Sequence, residues 1–80
     1  MLSPNKIGIE LTSYEALVLF DCLARLRESN VTASLFADQA ETQVFSNLEC
    51  LLEKQLIEPF SPQYKTYLDE ARRHVRDTGE

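Results

Sequence analysis

The side chains best equipped for chemistry in this 80-residue chain are one histidine, two cysteines and thirteen carboxylates, and their spacing decides whether they can act together. His74 stands between Arg73 and Val75, with no second histidine and no cysteine beside it. A zinc site or a nucleophile triad would have to be built around it from carboxylates alone. It is therefore read as a surface histidine complementing the carboxyl end of a helix dipole. Cys22 and Cys50 are too few and too far apart for a disulfide framework or a clustered metal site. Both thiols are expected free, Cys22 as a small buried hydrophobe and Cys50 on the polar side of a helix. Thirteen acids guarantee accidental carboxylate pairs. Glu49 and Glu53, four apart, read as solvated neighbours rather than the acid and base of a glycosidase. Asp69, placed near Lys65, Arg72 and Arg73, reads as ordinary helix-face ion pairing. Glu41 is the one acid on the apolar side of its helix, where the helix amino terminus or an arginine can stabilise it. Gly8 and Gly79 form no phosphate-cradling loop. The chain is thus expected to hold no catalytic residue, cofactor or metal, and not to be an enzyme.

What remains is binding, and charge restricts its form. Thirteen acids against eight bases leave a net charge of −5, which repels phosphate backbones and anionic lipid. Lys65, Arg72 and Arg76 share a helix flank, yet three bases beside Asp69 on an acidic chain make a poor nucleic-acid stripe. Nucleic acid, membrane and small-molecule substrate are not expected partners. The longest apolar run, Ala16-Leu17-Val18-Leu19-Phe20, is far below the roughly 20 residues that span a bilayer. The opening residues show neither the basic nor the apolar region of a secretory signal, so a cytoplasmic location is expected.

These residues need elements to position them. Lys6-Ile7-Gly8-Ile9-Glu10-Leu11 alternates apolar with polar or small residues, which predicts a strand over about 6–11. Thr12-Ser13-Tyr14-Glu15 reads as a capping box opening a helix over about 13–28. The apolar residues of that helix, from Ala16 to Leu26 and including Cys22, cover an arc of roughly 220°, so it should touch more than one neighbour. A second helix is expected over about 38–56, with Ala40, Val44, Phe45, Leu48, Leu51, Leu52 and Leu56 on one side and Glu58-Pro59 ending it. Ser61-Pro62 should start a third, over about 62–76, whose stripe of Tyr64, Tyr67, Leu68, Ala71 and Val75 needs one partner surface. The fold class is mainly α: one domain over 1–80, three helices and a short amino-terminal strand. A lone strand is unstable in water. Either residues 31–36 form a second strand, or the first pairs between chains, with Ile7, Ile9 and Leu11 at the dimer contact.

The strings Glu15-Ala16-Leu17-Val18-Leu19-Phe20, Asp38-Gln39-Ala40-Glu41, Leu52-Glu53-Lys54-Gln55-Leu56-Ile57-Glu58-Pro59-Phe60 and Ala71-Arg72-Arg73-His74-Val75-Arg76-Asp77 resemble a group of small uncharacterised bacterial proteins, over about residues 7–77. That resemblance implies no activity. In size and acidity the chain is also similar to immunity proteins of bacterial toxin–immunity pairs, which implies a basic toxin as partner, drawn in electrostatically. The expected contact surface is Gln43, Asn47 and Cys50, a weakly charged row on the second helix, together with Glu49 and Glu53. The alternative is a homodimeric structural or regulatory module.

Overall fold

A computed structural model describes residues 5–29 and 35–80. It is mainly helical, with α1 at Ser13–Glu28, α2 at Gln39–Gln55 and α3 at Tyr64–Thr78. A single 3-10 turn, Glu58–Phe60, lies between the last two.

Local chemistry sets each boundary. The capping box at the head of α1 forms in full: the Glu15 amide donates to the Thr12 hydroxyl oxygen at 3.1 Å, and the Thr12 amide donates to Glu15 Oε1 at 2.9 Å. The Thr12 hydroxyl also donates to the main-chain carbonyl of Glu80, linking the head of α1 to the residue beyond α3. Asp38 caps α2 by accepting from the Ala40 amide at 2.7 Å. Glu41 Oε1 accepts from the Ala37 amide at 3.1 Å, so this acid serves the amino terminus of its own helix. Ser61 makes the expected cap contact, accepting from the Gln63 amide at 3.1 Å. The regular helix nevertheless begins two residues later than the Ser-Pro signal indicates, because residues 61–63 form a turn first. α2 stops at Gln55, ahead of Pro59, since Leu56 is already extended, with ψ of 138°. Gly79, at φ 82°, ends α3 in the left-handed conformation that glycine adopts most easily.

α1 is the centre of the molecule, with α2 and α3 each packed against it. Leu17 and Leu23 of α1 meet Leu52 and Leu56 from the α2 end and Leu68 and Ala71 from α3, and these six form the buried core. The wide arc of α1 is therefore used on two sides, as its width demands. The arc ends before Cys22, which is exposed and not the buried hydrophobe expected from its position. It lies at one edge of the apolar arc, on the side left exposed.

Two further expectations are corrected. No strand is present among the described residues: 5–12 have no regular structure, and Ile7 and Ile9 are 90% and 75% exposed. Alternation supplies a face to bury but not the neighbouring ladder that a strand requires. Residues 31–34, most of the alternative second strand, lie outside the described residues. On α2 the expected apolar side is only partly used. Leu52 and Leu56 are buried and Leu48 half-buried, whereas Val44 and Leu51 are 61% and 60% exposed. Among the described residues α2 packs chiefly on α1, so its buried stripe is narrower than its apolar composition.

Candidate functional site

Asp21 gathers the most polar contacts. On α1, one carboxylate oxygen accepts from the Tyr64 hydroxyl at 2.9 Å. The other accepts from Arg25 Nε at 2.9 Å and from an Arg72 guanidinium nitrogen at 3.0 Å. Tyr64 and Arg72 both come from α3, so the cluster ties the two helices together. Partial burial opposes charge on Asp21, but the hydrogen bonds from Arg25 and Tyr64, with the charges of Arg25 and Arg72, outweigh it and lower its pKa below the ordinary 3.8. Burial, with the hydrogen bond to Asp21 and its negative charge, pushes the Tyr64 phenol up to about 12. A carboxylate held charged by three donors is a weak base, and a phenol held neutral is a weak nucleophile. The cluster is a structural tie.

The contact surface expected on α2 divides in two. Glu49 is turned inward, with its side chain only 12% exposed and its carboxylate 3.2 Å from an Arg27 guanidinium nitrogen. It braces α2 to α1. Gln43 donates from Nε2 to Asn47 Oδ1 at 2.7 Å, and the pair forms an uncharged ridge beside exposed Cys50. Glu53 remains exposed. His74 is half-buried, and its ring stacks on Tyr14 with centroids 4.1 Å apart and 22° between the planes. It packs α3 against the first turn of α1 instead of standing in solvent. Arg72, within the expected basic flank, is paired with Asp21 and with Asp69, at 3.7 Å. Among the described residues no three His, Cys, Asp or Glu side chains converge as a metal site requires. Among the described residues no helix is long and apolar enough to cross a membrane.

A different surface has the shape of a site. A groove of about 520 Å³ opens between residues 9–11 and α2, lined by Ile9, Leu11, Ala16, Leu48, Leu51 and Leu52 together with the polar Glu10 and Gln55. At 100° per residue, Ala40, Val44, Leu48, Leu51 and Gln55 fall on one stripe of α2. That stripe is turned about a quarter-revolution from the buried pair Leu52 and Leu56. The Gln43-Asn47-Cys50 row, extended by Lys54, runs along its outer side, while the groove and the segment carrying Ile7, Ile9 and Leu11 lie on the other. The result is an exposed apolar strip with a weakly charged polar row on one side and two acids, Glu10 in the groove and Glu41 on the helix, on the other. Of the residues expected at a contact surface, Gln43, Asn47 and Cys50 border this stripe, whose own apolar residues were expected to be core. Periodicity marked that stripe as apolar, and only the position of α1 shows which part remains uncovered.

Comparison of the chain with protein-family models, with curated proteins and with solved structures returned no match.

Proposed function

We propose that this chain is a non-catalytic protein-binding module that docks through the outward stripe of α2 and the adjoining residues 7–11. The observation that carries this reading is the groove in which Ile9 and Leu51, 75% and 60% exposed, come together with Leu11 and Leu48. Exposed apolar side chains gathered at a groove are costly in water and characteristic of docking sites. An acidic contact for a basic toxin, the other form of binding suggested by the net charge, is less well supported. Its central acid, Glu49, is engaged with Arg27, which leaves Glu53 as the exposed acid of that set.

The test is to purify the tagged chain from its native host in parallel with Leu51→Glu. The substitution should leave the helices intact, because Leu51 is mostly in solvent. Under this proposal at least one stoichiometric protein, copies of the same chain included, accompanies the wild type and is lost from the variant. Identical co-purifying sets would remove the α2 stripe as the docking surface.

A further inference from the structure

Away from the docking stripe, α1 and α2 enclose a second hollow of about 150 Å³. At 100° per residue its α2 residues, Thr42, Phe45, Ser46 and Glu49, lie about 150° around the helix from the stripe. Four apolar side chains line it: Leu23 and Leu26 of α1, Phe45 of α2, and Phe36 just ahead of α2. The two phenyl rings stack, with centroids 5.2 Å apart and 21° between the planes. Leu23 is buried, and Leu26 and Phe36 are half-buried. Apolar space on the order of 150 Å³ holds one benzene-sized ring.

A few convergent polar groups in an apolar pocket fix the orientation of what it binds, and here they are Arg27, Thr42, Ser46 and Glu49. Glu49 is the most informative. Its side chain is only 12% exposed, and Arg27 reaches its Oε2 at 3.2 Å. No described residue donates to Oε1. A largely buried carboxylate with spare acceptor capacity can take an O–H placed in the hollow. The Arg27 guanidinium, mostly in solvent and held by one contact, offers a cation to the π face of a bound ring.

We infer that this hollow binds a small uncharged phenol, its ring among Leu23, Leu26, Phe36 and Phe45 and its hydroxyl donating to Glu49. The lining selects that chemistry. A ring bearing a carboxylate meets the like charge of Glu49. A saturated ring lacks the π face that Arg27 can use, and a hydrocarbon ring leaves the Glu49 acceptor idle. A free phenol and a tyrosine side chain share the recognised group; the volume, which admits one ring and little else, favours the free molecule.

The experiment titrates phenol, toluene and N-acetyltyrosinamide into the isotope-labelled full chain, with the NMR signals of Leu23, Leu26 and Phe45 as readout. Phenol should give saturable shifts there, at the millimolar affinity of a ligand with so few atoms. It should bind about tenfold more tightly than toluene, the equivalent of one hydrogen bond to a charged group. Ser46→Leu, at an exposed helical position, places a larger side chain against the hollow and should abolish the shifts with helicity unchanged by circular dichroism. Glu49→Gln keeps the shape without the charge and should bring phenol close to toluene. The absence of saturable shifts, shifts that survive Ser46→Leu, or equal binding of phenol and toluene by the wild type overturns the site. Tighter binding of N-acetyltyrosinamide than of phenol overturns the free molecule as ligand and assigns the hollow to a partner's tyrosine. Leu51→Glu, on the stripe, should leave the titration unchanged, so this inference and the docking proposal fail separately.

Discussion

Asp21 shows what a single position can do once the chain is folded. Its partners, Tyr64 and Arg72, are 43 and 51 residues away, and only Arg25, four residues on, is visible as a partner in the sequence. Replacing it as Asp21→Asn should cost about 1–2 kcal/mol, because the charge-assisted hydrogen bonds from α3 weaken together. The effect carries a pH signature. The unfolded carboxyl titrates near its ordinary 3.8 and the folded one lower. The stabilisation is therefore complete above that value and is lost as the pH falls through the folded pKa. Urea denaturation of wild type and Asp21→Asn should give a gap that is constant near neutrality and closes below about pH 4. Tyr64 has the opposite sign. With its pKa raised from 10.0 to about 12, its contribution is whole below pH 10 and lost as the pH rises through about 12, so Tyr64→Phe should flatten the alkaline limb. A Tyr64→Phe profile that matched the wild type's alkaline limb would show that the hydroxyl is not held as described.

At the scale of elements, adjacent residues of α2 should behave in opposite ways. Leu52 is 8% exposed and Leu51 60%. Leu52→Ala should lose about 2–4 kcal/mol through transfer and cavity terms. Leu51→Ala, measured in dilute solution where chains are apart, should lose under about 1 kcal/mol. Equal losses in thermal or urea unfolding would mean that α2 is rotated from the orientation described. The helices themselves were legible because their signals are local. The Thr12–Glu15 box, the Asp38 cap and the Ser61 turn each act within a few residues, and helix start and stop followed to within two residues. The share of α2 that faces α1 was not legible. Periodicity gives the width of an apolar stripe, but the number of neighbours that cover it depends on packing. The same limit explains Cys22, assigned to an arc one edge of which is left exposed, and His74, whose stacking on Tyr14 joins residues sixty positions apart.

For the molecule as a whole, the described residues include six that are buried together as a core, and chains of this size are marginal without further burial. A partner that covers the exposed α2 stripe links folding to binding by mass action, so the melting temperature rises with partner concentration. Scanning calorimetry with the co-purifying protein added over a hundredfold concentration range should show that rise for the wild type and none for Leu51→Glu; a flat wild-type series would mean that the stripe is not where it docks. The sequence by itself determined the three helices, their caps and the acidic balance, because propensity, capping and charge are properties of short segments or of composition. The tertiary structure alone decided that α1 lies at the centre, that Glu49 turns inward to Arg27, that residues 5–12 have no ladder to join, and that one stripe of α2 is left in water. Those outcomes depend on which faces meet across long stretches of chain, and neither spacing nor periodicity encodes which neighbour a face will find.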